Sequence, residues 1–339
     1  MILAGDIGGT KSLLAFYEPA AASGGPRHAL DERSLPSRKY LSLAELLRDF
    51  LQATEKKPTR ACLAVPGPVV ERRSSTPNLP WPTVDARELS EVIGVEVVLL
   101  NDLEATGYGI ATLRDDELRC LSEGKPQPGG NAALIAPGTG LGECILFWDG
   151  QMHRPSASEG GHATFAPRNE MEIGLLRYLL RQFDHVSNDR IISGQGLVSI
   201  YNYLRDSGSA EPGWLRQEVW GADLPAGASA QAGDPAAAIS RLALDGRSEL
   251  CVRALDLWTA AFGAEAGNLA LKALATFGVY LGGGIAPKIL PKLTDATFLT
   301  AFRNKGRLSP LVEAMPVRII LNDKAALYGA ARYALGLGS

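Results

Sequence analysis

An apolar run, a polar glycine-rich turn and a second apolar run occur twice in this chain, and that repeat limits the folds open to it. The first copy runs from an apolar start at residues 1–5 through Asp6-Ile7-Gly8-Gly9-Thr10-Lys11 into apolar residues 12–17. The second runs from residues 131–136 through Pro137-Gly138-Thr139-Gly140-Leu141-Gly142 into residues 143–148. Each copy reads as two strands joined by a tight turn. The repetition predicts two related α/β domains facing each other, and a chain of 339 residues has the length for both.

The segments between the repeats fit that plan. Residues 43–52 have the spacing of an amphipathic helix, and residues 61–65 read as a buried strand that stops at Pro66-Gly67-Pro68. A further buried strand over 95–100 ends on Asn101-Asp102, so two polar side chains project from the carboxyl edge of a sheet, where sites of open α/β folds usually lie. Residues 207–235, rich in Gly, Ala and Pro, read as a surface connection with one short helix at most. A long Ala/Leu-rich helix over 248–276, a strand over 278–281 and the turn Gly282-Gly283-Gly284 follow. The closing helix carries Ala325, Ala326, Gly329 and Ala330, small enough for close packing back on the first domain. The division expected is a small domain over 1–110, joined by 324–339, and a large domain over 111–323.

Composition excludes several function classes. The net charge is −3 and Lys and Arg are spread along the chain, which argues against a nucleic-acid partner. No apolar run approaches the roughly 20 residues of a membrane span, and the N-terminus lacks the sections of a signal peptide, so a cytoplasmic location is expected. Cys62, Cys120, Cys144 and Cys251 lie far apart in apolar surroundings and read as reduced, buried thiols.

Glycine turns of this kind can aim successive backbone N–H groups at an anion, because Gly tolerates positive φ and the close approach of a phosphate oxygen. Two of them can hold one polyphosphate. Neither matches GxxxxGK[ST] or GxGxxG, so the P-loop and dinucleotide readings fall. Either turn alone is equally well a tight hairpin. Asp6 tilts the choice, since a carboxylate beside a phosphate-binding turn suits a divalent cation held directly or through water, magnesium above all. Taken alone it would equally serve as a turn-forming Asx residue.

With these residues in view, Gly5-Asp6-Ile7-Gly8-Gly9-Thr10 resembles the first phosphate motif of the actin, Hsp70 and hexokinase superfamily, and Gly138-Thr139-Gly140-Leu141-Gly142 resembles the second. Further matches narrow the resemblance to the bacterial glucokinase family: Asn78 with Trp81, Asn101-Asp102, Glu159-Gly160-Gly161-His162, His185-Val186-Ser187, Ser193-Gly194-Gln195-Gly196-Leu197, Gly267-Asn268-Leu269-Ala270 and Gly282-Gly283-Gly284-Ile285. They stand in family order over nearly the whole chain.

The resemblance implies a two-domain ribonuclease H-like fold of the actin and hexokinase type, with ATP and glucose meeting in an interdomain cleft. It implies a kinase that moves the γ-phosphoryl group of ATP to the 6-hydroxyl of glucose. Asp102 is then the general base; a sugar hydroxyl is a poor nucleophile, and a carboxylate within about 3 Å can align it and accept its proton. Without that context the competing reading of Asp102, the less favoured of the two, is a helix N-cap after a strand. Asn78, Asn101, Asp102, Glu159, His162 and Asp189 are the implied sugar ligands. Gly5, Asp6, Ile7, Gly8, Gly9 and Thr10 with Gly138, Thr139 and Gly140 are the implied phosphate side, Asp6 is assigned to magnesium, and Gly282, Gly283 and Gly284 are placed by the adenosine. A homodimer is the family's usual assembly.

One residue departs from the pattern. Where the family usually has Glu between the His-Val-Ser and Ser-Gly elements, this chain has Asp189, one methylene shorter. The same base and phosphate motifs would also serve a kinase for mannose, fructose or an N-acetylated hexose. A sugar sensor without turnover fits poorly: Asp6 and Asp102 are retained, and the chain starts at its first phosphate strand with no room for a helix-turn-helix.

Overall fold

The computed structural model describes residues 1–18, 27–76, 79, 81, 83–221 and 233–337. They form two compact units. One takes Met1–Arg119, Cys144–Ala157 and Ile320–Ser339; the other takes Cys120–Glu143 and Ser158–Ile319. Both units are discontinuous in sequence, whereas the sequence reading drew a single boundary at residue 110 apart from the closing helix.

In the first unit, β1 (Ile2–Ile7), β2 (Lys11–Tyr17) and β3 (Asp31–Pro36) form an antiparallel meander, with Ile7 opposite Ser12 across the first glycine turn. After α1 (Leu43–Thr54), β4 (Arg60–Val65) adds in parallel to β1. A small antiparallel sheet of β5 (Val69–Val70), β6 (Arg73–Ser75) and β7 (Thr83–Asp85) comes next, followed by α2 (Ala86–Ile93). Then β8 (Val97–Asn101) joins β4 in parallel and runs directly into α3 (Asp102–Ile110). The sheet order is β3-β2-β1-β4-β8.

Strand alternation sends Leu3, Phe16, Leu63 and Leu99 to one face, covered by Leu47 and Phe50 of α1 and Leu89 of α2. The other face carries the smaller Ala4, Ala15, Cys62 and Ala64, over which α3 lies. Helix α1 starts where Ser42 accepts the Glu45 N–H at 3.0 Å, which satisfies an orphan donor of the first turn, while the Glu45 carboxylate accepts the N–H of Leu41 just before the cap.

Next along the chain come β9 (Leu118–Ser122), β10 (Ala132–Pro137), β11 (Leu141–Trp148) and β12 (His153–Ser158), then α4 (Glu170–Leu179), α5 (Gly194–Asp206), α6 (Gly213–Trp220), α7 (Pro235–Leu244) and α8 (Glu249–Ala273). The second unit is built on β10, which is buried along its whole length and pairs in parallel with β13 (Gly278–Leu281). Beyond it, β14 (Val317–Ile320) pairs with β13. Strands buried on both faces read as continuous apolar runs, as β10 and β13 do. Helices α9 (Leu290–Leu293), α10 (Ala296–Arg303) and α11 (Ser309–Glu313) fill the interval. Ser248 caps α8 by accepting the Cys251 N–H at 3.3 Å, and Trp258 and Phe262 of α8 meet Phe298 of α10 in a chain of aromatic contacts.

The chain ends on α12 (Ala325–Arg332), which packs on α3 in the first unit. A Cβ built on Gly329 would land on the Ala105 carbonyl, and one on Gly109 would land on that of Ala325, so the two backbones touch where a side chain would hold them apart. The small residues noted in the sequence lie at this crossing. Of the four free cysteines, Cys62, Cys144 and Cys251 are buried, and Cys120 is partly exposed because its strand, β9, is half covered.

Candidate active site

The first unit brings together Asp6, Lys11, Asp102 and Asp323. Asp6 lies near the end of β1 and is partly buried, between buried Gly5 and Ile7. Burial first, then the charges of Asp102 and Asp323, push its carboxyl up to about 7, against the pull of Lys11. Among the described residues no three His, Cys, Asp or Glu side chains stand close enough together to hold a metal ion, so a magnesium ion beside Asp6 would take its other ligands from phosphate oxygens and water. The adjoining turn is pinned by Ser37: its hydroxyl donates to the Gly8 carbonyl at 2.6 Å and lies 2.9 Å from the buried Ser12 hydroxyl, and its N–H donates to Thr10 at 3.1 Å. Ser37 and Asp323 stand far along the chain from the turn, so no local pattern marks their part in it.

Asp102 is the first residue of α3, and the residue before it performs the capping. The Asn101 side-chain oxygen accepts the N–H groups of Leu103 at 3.0 Å and Glu104 at 3.3 Å, and its amide nitrogen donates to the Gly67 carbonyl at 3.1 Å. So the N-cap reading raised for Asp102 falls to Asn101. Asp102 is half-buried at the carboxyl end of β8, and one of its oxygens lies 2.9 Å from the Leu103 N–H.

In the second unit, Gly138-Thr139-Gly140 closes on itself through a 2.7 Å bond from the Gly138 N–H to the Gly140 carbonyl. The Gly194 N–H, at the start of α5, donates to the Gly138 carbonyl at 2.9 Å. Asp189 stands beside this turn, where its Oδ1 accepts the Leu141 N–H at 2.7 Å and its own N–H donates to the Gly161 carbonyl at 2.8 Å. Glu159 and His162 flank the short 3₁₀ turn Gly160–His162, both largely exposed, with the His162 Nε2 3.9 Å from a Glu159 oxygen. The turn Gly282-Gly283-Gly284 sits alongside the second glycine turn. The Gly282 N–H donates to Ile135 at 2.9 Å and the Ile285 N–H to Pro137 at 3.4 Å.

The structure thus gathers Asp6, Asn101 and Asp102 in one unit, and Gly138–Gly140, Glu159, His162, Asp189 and Gly282–Gly284 in the other. Asn78 lies outside the described residues.

Comparisons with known proteins agree with one another. The family model described as Glucokinase matches residues 3–336. The glucokinase of Nostoc punctiforme is 43% identical over 336 residues, covering 98% of both chains. Among solved structures, a glucokinase from an Antarctic psychrotroph superposes with a TM-score of 0.82 at 29% identity, covering 99% of this chain and 98% of that one. A ROK family glucokinase from Streptomyces griseus, solved with glucose and AMPPNP, shares the fold with a TM-score of 0.61 at 20% identity, over 98% of each chain.

Proposed function

The chain belongs to the glucokinase family and is an ATP-dependent glucose kinase, and we propose that Asp102 is the general base that prepares the 6-hydroxyl for phosphoryl transfer. The observation that carries this assignment is the junction of β8 and α3: Asn101 caps the helix, and Asp102 beside it stands half-buried at a strand's carboxyl end, where sites of open α/β folds lie. A carboxylate so placed can align a sugar hydroxyl and take its proton as the P–O bond forms.

Asn101, Glu159 and His162 are the residues assigned to the sugar, since donors and acceptors of this kind suit a ring of hydroxyls. The two glycine turns hold the phosphates through backbone N–H groups, and Gly282-Gly283-Gly284 gives a flat base close access to the backbone. Asp6 would hold magnesium, directly or through water. Magnesium, when bound, supplies positive charge against the phosphate oxygens. What remains of the barrier is met by positioning and fixed dipoles rather than covalent chemistry.

No described helix is long and apolar enough to cross a membrane. A cytoplasmic homodimer is the working form the family resemblance implies, and sedimentation of the purified protein checks the dimer. The function itself is tested by a coupled assay of ADP release over glucose, mannose, fructose and N-acetylglucosamine, with ATP, GTP and polyphosphate as donors. The highest kcat/KM is expected for glucose with ATP, yielding glucose 6-phosphate; faster turnover of another hexose would reassign the substrate.

A further inference from the structure

Behind the turn that carries Glu159 and His162 lies a pair of acids that phosphoryl transfer does not use. Glu143, on β11, is 2% exposed, and Glu265, on α8, is 4% exposed. A Cβ on Gly160 would meet the Glu143 Oε2, so the carboxyl lies directly against the turn's bare backbone. Its other oxygen, Oε1, is buried with no hydrogen-bond partner among the described residues.

The charges around the pair are unequal. Glu265 is the compensated member: Lys272 approaches its Oε1 at 3.2 Å, and the Asn268 amide donates to its Oε2 at 2.9 Å. Lys305 donates to the Asn268 side chain and to the Ala264 carbonyl, both at 2.8 Å, and Arg168 is paired with Glu172. Glu159 and His162, on the turn itself, are largely exposed. A second negative charge on Glu143 would therefore stand in the interior beside that of Glu265, offset by Lys272, while Lys305 acts on Glu265. A carboxylic acid at Glu143 removes the conflict, because its O–H has Glu265 as an acceptor.

We propose that Glu143 is a positioning residue for glucose: as a protonated acid hydrogen-bonded to Glu265, it braces Gly160 and so sets where Glu159 and His162 stand. This rests on the assignment of Glu159 and His162 to the sugar. Burial, and next the charge of Glu265, raise the Glu143 carboxyl to about 7, with Lys272 opposing, so the brace weakens as pH rises through neutrality. Ionised, Glu143 is repelled by Glu265 and the turn above it shifts.

The test is the KM for glucose and for MgATP, measured from pH 6 to pH 8.5 on the wild type, Glu143→Gln, Glu265→Gln and Glu159→Ala. In the wild type the glucose KM is expected to rise about two- to tenfold across this range, the worth of one hydrogen bond, while the MgATP KM holds steady. Glu143→Gln, whose amide donates to Glu265 and does not ionise, should keep the low glucose KM at every pH. Glu265→Gln removes the charge that helps to keep Glu143 protonated and should shift the wild-type rise to lower pH, which keeps the test open should Glu143→Gln fail to fold. Equal pH profiles for wild type and both glutamine variants, with Glu159→Ala raising the glucose KM, would overturn the role of Glu143 alone. An unchanged glucose KM in Glu159→Ala would instead remove the sugar assignment on which it rests.

Discussion

Asp189 accepts the Leu141 N–H at 2.7 Å through its side chain and donates its own N–H to the Gly161 carbonyl at 2.8 Å, so one residue fastens the second glycine turn to the turn that carries Glu159 and His162. A Cβ on Gly140 would lie 2.5 Å from the Asp189 Oδ1, so the carboxylate sits directly against the bare backbone of the second glycine turn.

Asp189→Ala should therefore lower kcat/KM by about ten- to a hundredfold, the cost of a charge-assisted hydrogen bond, and raise KM for both glucose and MgATP. Asp189→Asn, which keeps an acceptor for Leu141, should lose less, and Asp189→Glu should bring no gain. Steady-state kinetics with each substrate varied in turn decide the matter: a change confined to glucose would mean that Asp189 serves the sugar alone.

The charges of Asp102 and Asp323 act on Asp6, which we assign to the phosphate side. Asp6→Ala should raise the KM for MgATP by more than that for glucose, and chelating magnesium should abolish turnover in the wild type. Glucose binding followed by intrinsic tryptophan fluorescence should persist in both cases. Selective loss of glucose binding would place Asp6 on the sugar side instead.

Local pattern reached most of the fold and part of the site. The glycine turns, the strand ending on Asn101-Asp102 and the strand over Gly278–Leu281 are legible because strand alternation and turn chemistry act over a few residues. The engagements of Ser37 with Gly8, Asp323 with Asp6, Asp189 with Leu141 and Glu143 with Glu265 join residues 29 to 317 positions apart, and no periodicity records them. Asn101 shows the same limit at short range: the sequence marks it as polar at a strand end, and only the geometry shows its oxygen capping α3.

The crossing of α3 and α12 depends on bare backbone. Gly329→Ala puts a methyl group against the Ala105 carbonyl, and the helices must separate, at a cost of about 1–3 kcal/mol typical of overpacking. Gly213→Ala, at the open start of α6 with nothing within 4 Å, is the matched control and should be neutral or slightly stabilising. Thermal denaturation compares them; equal melting temperatures would mean the crossing is loose.

Glu143 links stability to pH. Its folded value of about 7 lies above the ordinary 4.5, so the native state holds a proton that the unfolded chain has released between those values. Its contribution is intact below pH 4.5 and is lost as pH rises through about 7, on the order of 3 kcal/mol in all. Glu143→Gln has no such loss. The melting temperature of the variant relative to the wild type should rise from pH 5 to pH 8; a constant gap would show that Glu143 is ionised throughout.

The role of Asp102 is the claim on which the mechanism stands, and comparing turnover with sugar binding in Asp102→Asn tests it most directly. The amide keeps the shape of the carboxylate but does not accept the proton. With saturating MgATP, kcat should fall by about a hundredfold or more, while the glucose Kd from fluorescence titration stays within a few-fold of wild type. Turnover near the wild-type rate, with glucose bound normally, would contradict Asp102 as the general base.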